Sequence, residues 1–448
     1  MTKQVTEREL VLAILMEVTQ QNVYSPLALN TVLEKYQYLE KKERAFITRV
    51  TEGTLEHMIE LDYILNQFSK VKVNKMKPVI RNILRSAVYQ LKYMDSVPDS
   101  AVCNEAVKLA VKKGFGTLRG FVNGVLRNVA RGLDQVEYPA EGIERLSVVY
   151  SMPEWILKLW KKTYDLDVIE SMLQAFQEET PVTIRCNLAK TTPENLKESL
   201  QKEGVTVTPH PYLSYAFRIQ DYDHLSELES FQKGEFYVQD ISSMLVGELA
   251  DPKKGDRVID VCAAPGGKAL HVAEKLRGTG SVEARDLSLY KVGLITENIE
   301  RSGLMNIHAV QKDATVCDAD VKDAADLVIA DLPCSGLGVL AKKTDLKYKA
   351  TEQGTKELAG LQREILKNAA SYVRPGGTLI YSTCTIDHLE NEDQRNWILE
   401  ALPFEPLSLE GAFGSQVAEE TMKDGYIQLL PGRYPCDGFF ISAFRRKE

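Results

Sequence analysis

Several things are missing from this 448-residue chain. No apolar run is long enough to span a bilayer, which sets aside a membrane-embedded function. The first residues, Met1-Thr-Lys-Gln-Val-Thr, carry no apolar signal region, so secretion is not expected. The seven cysteines (103, 186, 262, 317, 334, 384 and 436) are odd in number and scattered, with no Cys-x-x-Cys pair. That pattern suits neither a disulfide framework nor a zinc site. No metal is expected, and a reducing cytoplasm is the expected compartment. Internal repeats and low-complexity segments are also missing. An excess of basic charge is lacking too: the net charge is −8, which argues weakly against a polyanionic partner.

What is present is ordinary globular composition, 44% hydrophobic and 26% charged. The length suits two or three domains. The average charge hides segregation. Residues 69–93 hold seven Lys/Arg (70, 72, 75, 77, 81, 85 and 92) and no acid, and residues 107–132 hold six (108, 112, 113, 119, 127 and 131) and no acid. Two such stretches in the first third of an acidic protein suggest a positive face for a polyanion. Solvated helix faces are the plainer explanation, and charge alone does not separate the two.

The organising stretch is Val258-Ile-Asp-Val-Cys-Ala-Ala-Pro-Gly-Gly-Lys268. A short apolar run leads into small residues, a proline and two glycines, and a helical pattern follows from Lys268. That is strand, tight loop, helix, the start of a doubly wound α/β unit. The loop has neither G-x-G-x-x-G nor G-x-x-x-x-G-K-[ST], so a pyrophosphate or triphosphate ligand is not favoured. Asp286, at the next likely strand end, is placed to accept from ribose hydroxyls. A nucleoside without a phosphate grip suggests S-adenosylmethionine.

In chain order, residues 1–140 read as all helix. Thr6-x-x-Glu9 forms a capping box, and Pro78 opens a strongly amphipathic helix. Residues 134–145 read as a linker, and 145–230 as a small α+β segment with a strand over 181–187 and a helix from Thr192 to about Glu203. Tyr237 to Ser243 reads as the start of a helix whose polar residues either line a ligand mouth or cap it. From 231 to 448 strands and helices alternate, with strands at 257–261, 281–285, 307–311, 326–331 and 378–382. Tyr426–Leu430 and Gly438–Phe444 suit an antiparallel pair at the sheet edge.

In open α/β sheets, ligands bind beyond the carboxyl ends of the strands. Asp260, Asp286, Asp313 and Asp331 fall near such ends. So do Cys334, in Asp331-Leu-Pro-Cys-Ser-Gly336, and Cys384, in Tyr381-Ser-Thr-Cys-Thr385. Adjacent strands would bring the two thiols to one cleft. Cys103, Cys186, Cys317 and Cys436 read as small buried hydrophobes, and Cys262 as packing in the ligand loop.

Two resemblances join these pieces. Asn104-Glu-Ala-Val107, followed by Phe121-Val-Asn-Gly-Val-Leu-Arg127, resembles the closing helices of the NusB-like domain, an all-α RNA-binding module. Gln239-Asp-Ile-Ser-Ser243, Asp260 to Lys268, Asp286-Leu-Ser288, Asp313, Asp331-Leu-Pro-Cys-Ser-Gly-Leu-Gly338 and Ser382-Thr-Cys384 resemble, in order, the NOL/NOP/Sun RNA (cytosine-C5)-methyltransferases. With the NusB-like start, the resemblance narrows to their Sun branch, which modifies 16S ribosomal RNA. It implies a class I methyltransferase domain bound to S-adenosylmethionine. Cys384 would be the nucleophile toward cytosine C6, and Cys334 would assist product release. Cys262, Ala263, Ala264, Pro265, Gly266, Gly267 and Lys268 would cradle the methionine end, Asp286 the ribose, and Asp313 the adenine amine. Asp331 would hydrogen-bond N3 or N4 of the flipped base or border the cofactor. Lys268 would serve the pocket or cap the loop. One departure stands out: the loop after Gly338, Val339-Leu-Ala-Lys-Lys-Thr-Asp345, keeps a basic pair but lacks the proline often found there. The alternatives are a non-catalytic RNA-binding assembly factor on a retained scaffold, or C5 methylation of another RNA or of DNA. An adenine-N6 enzyme would want Asn/Asp-Pro-Pro-Tyr/Phe where this chain has Asp331-Leu-Pro-Cys334.

Overall fold

A computed structural model describes residues 5–36, 38–178, 181–413, 417 and 419–448. The first four residues, part of the stretch read for a signal region, lie outside them. The chain divides into two compact units: residues 1–177 with 340–350, and residues 178–339 with 351–448. No helix among the described residues is long and apolar enough to cross a membrane.

The first unit is all helix. It runs α1 (Glu7–Gln20), α2 (Ser25–Lys35), α3 (Lys41–Glu56), α4 (Met58–Phe68), α5 (Pro78–Tyr93), α6 (Asp99–Lys112) and α7 (Arg119–Gly132), then α8 (Gly142–Val149), α9 (Glu154–Trp160) and α10 (Leu166–Gln177). The expected start signals hold: the Glu9 carboxylate accepts from Thr6 N at 3.0 Å, and Pro78 is the first residue of α5. α5 carries an apolar stripe, and Ile80, Ile83, Leu84, Ala87 and Val88 are buried in the core. The expected linker is shorter than its composition suggests. α8 already starts at Gly142, because Leu146 and Val148 find a core to bury in.

Residues 340–350 belong to this unit although the chain on either side belongs to the other. Asp345, 1% exposed, accepts from Ser25 N at 3.1 Å and Ser25 Oγ at 2.7 Å, and pairs with Lys349 at 2.6 Å. Lys347 donates to the Glu56 carbonyl at 2.8 Å, and burial pushes its ammonium down to about 8.

The second unit begins with β1 (Val182–Cys186), α11 (Pro193–Lys202), β2 (Thr206–Pro209), β3 (Ala216–Gln220), α12 (Glu229–Gln232) and β4 (Phe236–Val238). The strands form one sheet in the order β2-β3-β1-β4, with β3 and β4 antiparallel to β1. Thr192 caps α11 by accepting from Asn195 N, and Gly204 follows it at φ +84°. The expected helix at Tyr237 starts later. Residues 236–238 pair with β1, and Asp240 caps α13 (Ile241–Ala250) by accepting from Ser242 N at 3.0 Å.

The rest is a class I, Rossmann-like α/β domain. Its elements are β5 (Arg257–Asp260), α14 (Gly267–Lys275), β6 (Ser281–Asp286), α15 (Leu289–Ser302), β7 (Ile307–Gln311), β8 (Ala325–Asp331), α16 (Leu346–Lys349, in the first unit), α17 (Glu352–Tyr372), β9 (Val373–Thr383), α18 (Glu392–Ala401), β10 (Phe404–Pro406), β11 (Tyr426–Leu429) and β12 (Phe439–Arg446). The strand order is β10-β12-β9-β8-β5-β6-β7, with β11 also paired to β12. β7, β6, β5, β8 and β9 are parallel. β9 is longer than its expected 378–382: it pairs from Val373, and the register shift between Ala325 and Leu327 absorbs Arg374-Pro-Gly-Gly377. The late antiparallel pair exists, but β12 is not at the edge, because β9 and β10 both bond to it.

Among buried groups of the first unit, Glu60 is the most tightly held carboxylate. Burial would raise its pKa, but hydrogen bonds from His57, Lys92 and Tyr93 outweigh that and hold it at about 2. The folded state therefore binds fewer protons than the unfolded one. The stabilisation is complete above the ordinary value of 4.5 and is lost as pH falls through about 2. It amounts to roughly 3 kcal/mol at neutral pH. Glu60→Gln is expected to lower the melting temperature at pH 7 and to converge on wild type only as the pH falls below about 2. A deficit independent of pH would contradict this account.

Candidate active site

The site is built at the carboxyl ends of β5, β6, β8 and β9. β5 ends in Asp260, and the loop to α14 holds Cys262, Ala263, Ala264, Pro265 and Gly266. Ala263 N donates to Arg285 O at 2.7 Å, and Gly266 N to Ala263 O at 2.6 Å, which ties the turn to β6 and to itself. Gly266 adopts φ +105°, a conformation that glycine reaches without strain. Gly267 and Lys268 then open α14, whose first-turn N–H groups have no partner within the helix. Behind the turn lies Gln239, which accepts from the buried Arg185 at 2.7 Å and would sit 3.5 Å from a Cβ at Gly267.

Asp286 ends β6 and is 3% exposed. Its carboxylate accepts from Ala264 N at 3.2 Å and Leu287 N at 2.8 Å, so loop and strand end are one rigid piece. Asp313 lies two residues beyond β7, exposed, and accepts from Thr315 N at 2.9 Å and Oγ1 at 2.7 Å. It closes its own turn rather than joining the buried groups.

The structure brings Asp331, Lys268, Cys334 and Cys384 together. Lys268 Nζ donates to Asp331 Oδ2 at 2.6 Å, and Ser382 Oγ to Asp331 Oδ1 at 2.7 Å. Lys268 is thus an ion-pair partner of Asp331. Burial alone would lower the lysine; Asp331 and Asp260 raise it, so it stays cationic. Cys334 Sγ and Cys384 Sγ lie 3.3 Å apart. The hydrogen bond shared with Cys384, then burial, then the charge of Cys384 keep Cys334 protonated well above the ordinary thiol range.

Among the other cysteines, Cys103 and Cys186 are buried and Cys436 is half-buried. Cys317 is exposed, contrary to the expected burial: it lies in the irregular segment between β7 and β8, with its sulfur 4.0 Å from Ser371 Oγ at the surface. Cys262 packs against the apolar core beside the sheet, and burial pushes its thiol up.

Two buried groups had no role in the sequence reading. Asp260 is 1% exposed, and its Oδ2 has no partner among the described residues. Burial first, and Asp331 second, push it up to about 7. Its position at a strand end was visible, but its isolation was not. An unsatisfied carboxylate oxygen beside a loop of small residues, with a second acid at Asp286, fits a cationic nucleoside such as S-adenosylmethionine. The other is Glu390, 0% exposed, which accepts from Ser335. Residues 387–393 are not singled out in the sequence reading. Among the described residues no group of three or more His, Cys, Asp or Glu could hold a metal ion.

Three family models match the chain: the NusB family over residues 5–131, the ferredoxin-like domain of RsmF/B-like methyltransferases over 152–223, and the 16S rRNA methyltransferase RsmB/F over 248–445. The probable ribosomal RNA small subunit methyltransferase B of Bacillus subtilis is 36% identical over 99% of this chain and 100% of its own length. The ribosomal RNA small subunit methyltransferase B of Proteus mirabilis is 28% identical over 94% and 95%. A solved methyltransferase homolog from Pyrococcus horikoshii matches 69% of this chain and 100% of its own, with 25% identity and a TM-score of 0.59.

Gly338 N donates to Cys384 O at 3.0 Å, and Gly438 N to Gly338 O at 2.8 Å. A Cβ at Gly338 would fall 1.9 Å from Gly438 O. Gly338→Ala is therefore expected to destabilise the chain by about 1–3 kcal/mol, because backbone must move to admit it. Denaturant unfolding measures this, and a variant as stable as wild type would mean that the cysteine loop has slack.

Proposed function

Because the chain belongs to the family of the ribosomal RNA small subunit methyltransferases B, we propose that it methylates carbon 5 of one cytosine in 16S ribosomal RNA, through a covalent bond from Cys384 to C6. The observation that carries this is the pair of thiols 3.3 Å apart, beside an ion-paired Asp331 and the cofactor loop. S-adenosylmethionine supplies the methyl group from its sulfonium. Asp260, Asp286 and the backbone from Cys262 to Lys268 are assigned to hold it, with Asp313 toward the adenine amine. We assign RNA contacts to residues 1–140 and 145–230 and methyl transfer to 231–448. Two free thiols at this distance suit a reducing cytoplasm.

Carbon 5 of cytosine is a weak nucleophile. Attack of the Cys384 thiolate on C6 turns the ring into an enamine, and C5 then takes the methyl group. The base must leave its stack to present C5 and C6 to both reactants. The Asp331 carboxylate, oriented by Lys268 and Ser382, accepts from the exocyclic N4 amine or a protonated N3. By stabilising a protonated N3, the carboxylate makes C6 more electrophilic. Cys334, as thiolate, removes the C5 proton; the C5–C6 double bond reforms and Cys384 leaves. The presence of both cysteines disfavours the scaffold alternative.

The polyanion face is narrower than the sequence count suggests. Arg85 is buried against Asp62 at 2.5 Å, and Lys92 pairs with Glu60 at 2.7 Å, so neither is offered to RNA. Lys70, Lys72, Lys75 and Lys77 are exposed between α4 and the start of α5. Changing these four to Gln together is expected to weaken 16S rRNA binding and to reduce the log–log salt slope by about 3, near 0.7–0.9 per phosphate contact. An unchanged slope would place the RNA elsewhere.

The decisive assay is methyl transfer to unmodified 16S rRNA with nucleoside mass analysis. Wild type should form 5-methylcytidine and Cys384→Ser none. Cys334→Ser should retain a covalent protein–RNA adduct. Methylation of another RNA but not 16S rRNA would redirect the substrate, and absence of cofactor binding would favour the scaffold reading.

A further inference from the structure

A short turn after the Cys384 loop touches both cysteine loops. Glu390, with no exposed surface, accepts from Ser335 N at 3.0 Å through Oε2 and from Ser335 Oγ through Oε1. Gln362 Nε2, on α17, donates to the same Oε2 at 3.0 Å and to Pro333 O at 3.0 Å. The two residues flanking Cys334 are therefore both held from beneath. Ser335 Oγ also meets Thr385 Oγ1 at 2.7 Å, which links the two loops directly.

The next residue holds the other cysteine in the same way. Asn391, also fully buried, accepts from Thr383 Oγ1 at 2.5 Å and donates to Thr385 O at 3.1 Å. These are the residues on either side of Cys384. Tyr381, on β9, donates to the Glu390 carbonyl. Both Glu390 and Asn391 are fully buried, and each bonds to residues flanking a cysteine rather than to the cysteine itself.

A buried carboxylate is costly unless it is well bonded, and truncating a partner leaves the charge stranded. Burial pushes Glu390 up to about 7, while the Ser335 and Gln362 hydrogen bonds oppose the shift. A carboxylate retained here does more than fill space, because its three acceptor bonds all end on the Cys334 side. A fixed turn with one residue on each loop sets one distance, the separation of the two sulfurs.

We propose that Glu390 and Asn391 form a clamp that positions Cys334 against Cys384, with Glu390 a positioning residue for the step in which Cys334 acts. The proposal rests on the two-cysteine reading above, and its effect is on turnover rather than on binding. Misplacing Cys334 by about 1 Å is expected to slow product release about tenfold to a hundredfold.

The test uses the full-length protein with Glu390→Gln, Glu390→Asp and Ser335→Ala. Glu390→Gln keeps the shape but removes the charge and replaces the Oε1 acceptor with a donor, so Ser335 Oγ can no longer donate to it and must turn its proton elsewhere. Expected are a kcat at least about tenfold lower, KM for RNA and S-adenosylmethionine within about twofold, and accumulation of the covalent RNA adduct. Glu390→Asp, which keeps the charge, should recover part of the loss. A Glu390→Gln enzyme with wild-type kcat and no retained adduct would overturn the proposal. If Glu390→Gln shows no cooperative melting, Ser335→Ala decides in its place, by the same adduct measurement. A readout independent of methylation is the rate at which diamide, taking the two electrons, joins Cys334 to Cys384, followed by mass spectrometry. The clamp predicts slower closure in Glu390→Gln, and an unchanged rate overturns it. If wild type makes no 5-methylcytidine, the C5 reading falls, while the clamp still stands or falls on this closure rate.

Discussion

Parallel pairing of β8 with β9, in the register that sets Asp331 opposite Ser382, is the constraint on which the site depends. Side chains alternate along a strand, so a slip of one residue would turn Ser382 away and leave Asp331 half-bonded. The ladder continues past the strand ends. Leu332 N donates to Ser382 O at 3.1 Å, and Gly338 N to Cys384 O at 3.0 Å. Both cysteine loops are thus extensions of one hydrogen-bonded frame. This explains how two residues 50 apart in sequence hold their sulfurs in contact.

Charge is arranged around that frame with little slack. Asp260 and Asp331 share one buried neighbourhood, where like charges raise the proton affinity of at least one of them. Lys268 answers Asp331 directly and leaves Asp260 only its distant influence. The surplus negative charge next to the loop is a standing demand for a cation. Asp286 is different: backbone N–H groups from two segments already satisfy part of its carboxylate, so it serves the loop's shape as well as any ligand.

Much of this was legible in the sequence because it is local. Helix starts at Glu7, Pro78 and Pro193, the strand–loop–helix at 257–275 and the pairing of the last two strands follow from capping chemistry, proline and period. The placing of Cys334 and Cys384 together followed from a general rule about strand ends. What was not legible depends on partners far away in the chain. Arg85 reads as a surface charge until Asp62 is seen beside it. Tyr237 reads as helix until β1 offers a strand to pair with. Glu390 was not singled out, because no local pattern announces that Ser335, 55 residues earlier, will donate to it.

The two thiols are alike as residues, and position alone makes them unlike in chemistry. Before reaction, the shared hydrogen bond and the charge of Cys384 both favour keeping the proton on Cys334. That fits the proposed assignment of the attack to Cys384. In the proposed adduct Cys384, bonded to a ring carbon, would be a thioether with neither charge nor proton to share. The first-ranked cause of the high proton affinity of Cys334 then disappears, and only burial and Glu390 still oppose its ionisation. On the proposed mechanism, Cys334 would become easier to deprotonate at the step that needs a base at C5. On this argument the order of the two steps is written into one contact, and a fixed distance between the sulfurs matters more than the intrinsic reactivity of either.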